Sequence, residues 1–177
     1  MSVPELSRLI KARSVPGELV VIEANAEERA ALAARFVLSA VNALEARVSL
    51  EAKDSAIHAN GTLTASIEQP CAVSGDDFPV SIDEPINLRF VRESTLAETE
   101  NEDGEIEVDL TADDSDEIEF SGDMFDLGEA IAQTFGLAID PYAEGPSAQE
   151  TRAAAGISDE DAPSGPLAEA LAALKKD

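Results

Sequence analysis

Alternating hydrophobic and polar residues dominate the first half of the chain. The alternation runs from Leu44 to Ala52, from Ile57 to Ile67 and again from Phe78 to Phe90. A period of two residues is typical of strands with one buried face. Because the connections between the three runs are short, we predict an antiparallel meander that exposes its other face to solvent.

Two residues interrupt this alternation, and shorter apolar runs flank it. Gly61 predicts a bulge or a sharp bend, while Pro85 lacks an N–H donor and predicts an edge strand or a bulge. Residues 18–23 predict a further strand. Residues 106–110 and 118–120 predict two minor strands after the meander.

Helical spacing occurs in three places. Asn25 and Glu28 have the spacing of a capping box and predict a helix over residues 26–38. Asp126 and Glu129 repeat that spacing before an apolar stripe that ends near Pro141. At the C-terminus, three leucines at helical spacing predict an amphipathic helix that either packs on the body or binds a partner; they are Leu167, Leu171 and Leu174.

These elements predict an α+β fold: an antiparallel β-meander sheet covered by two helices, with an acidic loop and a C-terminal amphipathic helix. We expect a single domain over residues 1–142, with an acidic insertion at about 93–116. Residues 143–165, rich in Ala, Gly, Ser and Pro, predict a flexible linker before the helix at 166–176.

The charge is concentrated in one segment. The 177 residues include 12 Lys and Arg against 37 Asp and Glu, a net charge of -25, and hydrophobic residues make up 44%. Residues 93–129 hold 16 acids and no base, whereas residues 1–92 hold 13 acids and 9 bases. Such a chain can build a core, but its acidic segment disfavours contact with RNA phosphates or anionic membranes.

The acidic segment has two interpretations. It is either a solvated, self-repelling loop or a docking surface for a basic partner protein. In the second case the candidate partner-binding residues are its acids: Glu98, Glu100, Glu102, Asp103, Glu105, Asp113, Asp114 and Asp116.

The chain offers few residues for catalysis or metal binding. One Cys and one His exclude an internal disulfide and a Cys/His zinc site. His58 lies in the polar register of a strand, and the phosphate-binding and serine-hydrolase motifs are missing from the sequence. We therefore expect no catalytic, cofactor or metal site. Without a signal peptide or spanning segment in the sequence, we expect a cytoplasmic location.

Three segments together resemble a known family. They are Cys71-Ala72-Val73-Ser74 at a strand end, Asp126-Leu127-Gly128-Glu129, and Leu137 to Tyr142 (LAIDPY). In this order, over roughly residues 15–142 with the C-terminal helix, they resemble the alphaproteobacterial form of the YceD family of large ribosomal RNA subunit accumulation proteins. Many members have a CxxC at the strand end. Here Ser74 replaces the second Cys, so a metal or redox role does not carry over.

The resemblance implies a non-enzymatic ribosome-biogenesis factor that supports 23S rRNA accumulation. It adds Asp126, Leu127, Glu129, Asp140, Pro141 and Tyr142 to the candidate partner-binding residues. The expected partner is a basic ribosomal protein or a large-subunit assembly factor. Direct RNA contact should be weak, because Arg8, Lys11 and Arg13 are the only close basic cluster. The alternatives are a small carboxylate- or metal-dependent hydrolase and an acidic mimic of nucleic acid.

Overall fold

The computed structural model describes residues 4–53, 55–93 and 116–157. The strands of these ranges are β1 (Leu9–Lys11), β2 (Val20–Glu23), β3 (Ala40–Lys53), β4 (Ala56–Pro70), β5 (Asp77–Arg92), β6 (Asp116–Phe120) and β7 (Met124–Asp126). The helices of the described ranges are α1 (Ala26–Arg35), α2 (Leu127–Ala138) and α3 (Ala148–Ala154). A five-stranded sheet has the order β2–β3–β4–β5–β6, and β1 pairs with β7 in a second, two-stranded sheet. The α+β prediction is confirmed.

The β3–β4 hairpin shows the predicted alternation. Its buried residues run from Leu44 to Leu50 on β3 and from Ile57 to Ile67 on β4, and the residues between them lie on the wetter face. β2 pairs with β3 in the antiparallel sense, as β3 does with β4. The buried faces of these strands form one core with α1 and α2.

The predicted bulge at Gly61 is wrong. The pairing of β3 with β4 runs unbroken past Gly61, and the register shift lies between Val41 and Ala43. Gly61 is needed for a different reason, since a Cβ there would lie 1.9 Å from the carbonyl oxygen of Arg47 on the opposite strand. Sequence indicated a special position but could not distinguish a bulge from a close backbone approach.

β6 adds a parallel pair to the predicted antiparallel meander, since it pairs with β5 in parallel. A parallel pair needs a crossover of a dozen or more residues, and residues 93–115 supply a connection of that length. The pairing joins Leu88–Arg92 of β5 to β6. Pro85 precedes this stretch, on a part of β5 that β6 does not pair, where a missing N–H is tolerated.

Both predicted helix starts are confirmed, but only one capping box closes. The Asn25 side chain accepts hydrogen bonds from Glu27 and Glu28, and the Glu28 carboxylate accepts one from the Asn25 N–H. α1 ends at Arg35, three residues before the predicted end, since Val37 adopts a left-handed φ of 56°. Asp126 caps α2, as predicted.

A short sheet that the sequence did not predict lies at the start of α2. Leu9 pairs with Asp126 and Lys11 with Met124 across β1 and β7. Gly128 allows the start of α2 to approach the backbone before β1, because a Cβ there would lie 2.8 Å from the Leu6 carbonyl oxygen. Three residues are too few to show a period in sequence.

The contacts divide the chain into two compact units, Met1–Gln69 with Pro79–Asp140 and Pro70–Phe78 with Pro141–Asp177. Within the second unit, Ala148–Ala154 form α3, inside the stretch that the sequence predicted as a linker. The predicted strand at 106–110 and the predicted helix at 166–176 lie outside the described residues.

Candidate functional site

The predicted partner-binding residues fall into three groups. Seven of them lie outside the described residues: Glu98, Glu100, Glu102, Asp103, Glu105, Asp113 and Asp114. Asp116 begins β6, and the other six lie at the two ends of α2. In the part of the chain that the structure describes, the candidate residues thus lie on β6, at the start of α2 and in the segment that follows it.

β6 carries a row of exposed acids at the end of the sheet. Asp116, Glu117 and Glu119 are exposed, while Ile118 and Phe120 are half-buried against the core. Because successive side chains of a strand point to opposite faces, Glu117 and Glu119 share the face that turns away from the core. Among the described strands β6 is terminal, since β5 lies on one side of it only. We call Asp116, Glu117 and Glu119 with this strand the β6 edge.

Asp126 joins the start of α2 to the N-terminal segment. Its Oδ1 accepts hydrogen bonds from the N–H groups of Gly128 at 3.0 Å and Glu129 at 3.2 Å, which caps α2. The same carboxylate accepts from the Arg8 N–H at 2.7 Å and from the Ser7 hydroxyl at 2.6 Å. Four donors thus saturate a side chain that sequence had placed in the partner-binding set.

Glu129 also binds a residue of the same fold, Arg35. Two nitrogens of Arg35 donate to its carboxylate at 3.0 and 3.1 Å, and Arg35 also binds Glu5 at 2.8 Å. Hydrogen bonding to Glu129 and then to Glu5 raises the pKa of Arg35. Glu129 points to Arg35 instead of closing a capping box, and Leu127 beside it is fully buried. The Asp-Leu-Gly-Glu motif therefore positions a helix.

The segment after α2 is more accessible. Asp140 and Pro141 are exposed, and Tyr142 is 82% exposed. The Asp140 backbone carbonyl accepts a hydrogen bond from Gln69 at 3.0 Å, which ties the end of α2 to the end of β4. Of the six residues at the ends of α2, these three lie on the surface.

The structure brings together basic residues that the sequence keeps apart. Arg13 and Arg92 both approach Oδ1 of Asp123, at 3.4 and 3.8 Å. Arg92 also lines two neighbouring hollows of about 300 and about 270 Å³, and Phe120 lines both as well. We call these two hollows the sheet-end cleft; their wall also includes Lys53, Glu93 and Asp123. No spacing in the sequence links residues 13, 53 and 92.

The second unit contains the single cysteine. Cys71 is 3% exposed, and its Sγ accepts hydrogen bonds from the N–H groups of Val73 and Ser74, each at 3.4 Å. The Ser74 side chain and then its N–H lower the pKa of the Cys71 thiol to about 7. Ser147 joins the turn by donating to Asp76 at 2.7 Å and contacting the Ser74 hydroxyl at 3.0 Å.

Ser74 occupies the position that the second cysteine of a CxxC motif would have. Ser74 provides hydrogen bonds within the turn where a CxxC motif would provide a second thiolate. In the described ranges, His, Cys, Asp and Glu side chains form no group of three or more that could hold a metal ion.

Comparison with known proteins connects these features to a family. A family model described as "Large ribosomal RNA subunit accumulation protein YceD" matches residues 59–176. The chain belongs to the YceD family. The match confirms the resemblance predicted from sequence and includes the Cys71 turn, the β6 edge and α2. A search of curated proteins and a search of solved structures each found no match.

The YceD match begins inside β4, so part of the fold lies before it. Arg8 and Ser7 precede the matched range, although both bind Asp126 within it. The family description suggests a role in accumulation of the large-subunit ribosomal RNA. Among the helices of the described ranges, none is both long enough and apolar enough to cross a membrane.

Proposed function

We propose that this YceD-family protein is a non-enzymatic factor of large-subunit assembly. In this proposal it acts in the cytoplasm and supports 23S rRNA accumulation by binding a basic segment of a ribosomal protein or assembly factor. The observation that carries the proposal is the β6 edge, a strand at the end of the sheet with three exposed acids. Asp140 in the first unit, and Pro141 and Tyr142 in the second, stay candidate partner contacts.

The backbone of a terminal strand favours an extended partner. Such a strand still offers N–H and C=O groups to an added strand, so a peptide can extend the sheet. Every second side chain of that peptide would lie on the face that carries Glu117 and Glu119. Lysines and arginines at those positions would gain opposite charges across the new strand pair.

Charge favours the same kind of partner. Residues 93–129 contain 16 acids and no base, and β6 lies within this range. Arg89 binds Glu117 at 3.0 Å, but the two side chains are 36% and 40% exposed. Exposed ion pairs contribute about 0–1 kcal/mol, so an incoming arginine can take the place of Arg89 at little cost.

Two of the other candidate acids already bind groups within the fold. Their contacts favour a binding role for the protein over hydrolase activity. A hydrolytic pair would need carboxylates that converge on a substrate. Asp126 is instead saturated by four donors, and Glu129 by Arg35.

Co-purification from growing cells tests the proposal. A tagged chain is compared with the variant Glu117→Lys/Glu119→Lys after nuclease treatment, which removes partners held only through RNA. We expect a basic ribosomal protein or assembly factor to accompany the parent chain and to be lost with the variant. Mass spectrometry identifies the partner.

The matched control is Glu18→Lys/Glu23→Lys, which makes the same charge change at the opposite edge of the sheet, at and just before β2. It should retain the partner. Equal loss with both variants, or a partner that disappears with nuclease, would contradict docking at the β6 edge.

A further inference from the structure

We propose that the sheet-end cleft binds single-stranded RNA, with Arg13 and Lys53 contacting phosphates and a base stacked on the Arg92 guanidinium. This inference goes beyond the proposed function, which rests on a different surface and a protein partner. It starts from the cleft's position, where the ends of β3, β5 and β6 come together with the chain that follows β1.

The two guanidinium groups that bind Asp123 can also bind the anionic group of a ligand. One oxygen of this carboxylate is shared between the guanidinium groups of Arg13 and Arg92. A phosphate oxygen can make the same contacts, because guanidinium groups bind carboxylate and phosphate in the same manner. The side chains of Arg13 and Asp123 are 78% and 69% exposed, so the present ion pair is weak and a ligand can displace it.

Arg92 provides a surface for a base. Its guanidinium carbon lies 5.6 Å from the centre of the Phe120 ring, and that ring contacts the buried Phe125 at 5.7 Å between centroids. The guanidinium is thus within cation–π distance of an aromatic ring that is anchored in the core. Unpaired RNA bases stack on arginine planes in this way, whereas bases in a duplex are covered by their neighbours.

The cleft has room for one nucleotide of a strand. Arg92 and Phe120 line both of its hollows, of about 300 and about 270 Å³. Small-molecule sites begin at about 300 Å³, so the first hollow is at that lower limit and the second lies just below it, and only the two together have room for a nucleotide. Lys53 lines the second hollow, and so does Ala12, the neighbour of Arg13 in the chain.

The expected affinity is modest. Glu93 and Asp123 line the first hollow, and the chain as a whole carries a net charge of -25, which opposes the approach of RNA. Non-specific nucleic-acid binding has dissociation constants of about 10⁻⁶ to 10⁻⁴ M, and few phosphate contacts give a small dependence on salt. This range fits a site that orients RNA while another surface holds a protein.

Fluorescence anisotropy with a labelled oligouridylate and the full chain tests the inference. We expect saturable binding at low salt, weakened about tenfold by Arg13→Glu. Arg92→Lys keeps the charge but removes the planar group, so it should weaken binding about fivefold. Circular dichroism checks that each variant folds.

Arg47→Glu is the matched control, since Arg47 is exposed on β3 about 17 Å along the strand from Ala52. It should leave RNA binding unchanged. Equal weakening by Arg47→Glu, no effect of Arg92→Lys, or binding too weak to saturate would overturn the inference. Equally good competition by uridine monophosphate would also overturn it in favour of a nucleotide site. Glu117→Lys/Glu119→Lys should not weaken RNA binding, so this inference and the proposed function fail separately.

Discussion

Asp126 accepts a hydrogen bond at 2.7 Å from the backbone N–H of Arg8, a residue 118 positions earlier in the chain. This contact fixes the start of α2, and with it the Asp-Leu-Gly-Glu motif, to the N-terminal segment. The motif's carboxylates are already occupied within the fold.

Asp126→Ala should therefore destabilise the protein strongly. The substitution removes the cap of α2 and leaves the Ser7 hydroxyl and the Arg8 N–H without their acceptor. We expect a loss of about 3 kcal/mol in the free energy of unfolding, measured by urea denaturation. Asp83→Ala, at an exposed position of β5, is the control and should change this free energy by less than about 0.5 kcal/mol. Equal losses in the two variants would refute the structural role of Asp126.

Glu28 should make stability depend on pH in the acid range. The hydrogen bond from Arg8 lowers the pKa of Glu28 below its usual 4.5, so folding favours the carboxylate. The stabilisation is complete above that value and is lost as the pH falls through the lower, folded-state pKa. Glu28→Gln should cost about 1 kcal/mol at pH 7, with the difference shrinking below pH 4.5. Arg8→Met should flatten the acid-side slope in the same way; an unchanged slope in both variants would contradict the ion pair.

Gly61 should tolerate no side chain. A methyl group at this position would meet the Arg47 carbonyl at 1.9 Å, so the two strands would have to separate. Gly61→Ala should lower the unfolding free energy by about 3 kcal/mol. Thr62→Ala, the exposed neighbour, should lower it by about 0.5 kcal/mol or less. Thermal denaturation of the two variants side by side checks the difference, and similar midpoints would show that the hairpin can relax.

Cys71 should titrate near neutral pH. Since it is the only cysteine, the ultraviolet absorbance of thiolate reports it directly. The Ser74 side chain is the largest cause of its lowered pKa of about 7, so Ser74→Ala should move the midpoint upward, toward 9. Ser49→Ala, on the exposed face of β3, should leave the midpoint in place. A Ser74→Ala midpoint that also stays near 7 would show that backbone donors alone set the pKa.

The sequence predicted the strands with a long alternation of hydrophobic and polar residues and the helices with a local cap. The alternation of β3, β4 and β5 and the caps at Asn25 and Asp126 all appear in the structure, because each is encoded within a few neighbouring residues. The short strand at 118–120 was predicted without a direction, since the pattern of a strand does not encode its orientation.

The contacts of the candidate site residues could not be predicted from a short pattern. An acid in the sequence is a candidate ligand until its neighbours in space are known. The partners of Asp126 and Glu129 are Arg8 and Arg35, and the separation along the chain gives no sign of either contact. The convergence of Arg13 and Arg92 on Asp123 could not be read from spacing for the same reason.

The most direct test of the β6 edge uses cells that rely on a supplied copy of this chain. It measures the level of 23S rRNA relative to small-subunit rRNA. Glu117→Lys/Glu119→Lys should fold, accumulate to the level of the parent chain and still fail to restore 23S rRNA. Glu18→Lys/Glu23→Lys should restore it. Full restoration by the β6 variant at equal protein level would contradict the proposal that this edge binds the partner through which the protein acts.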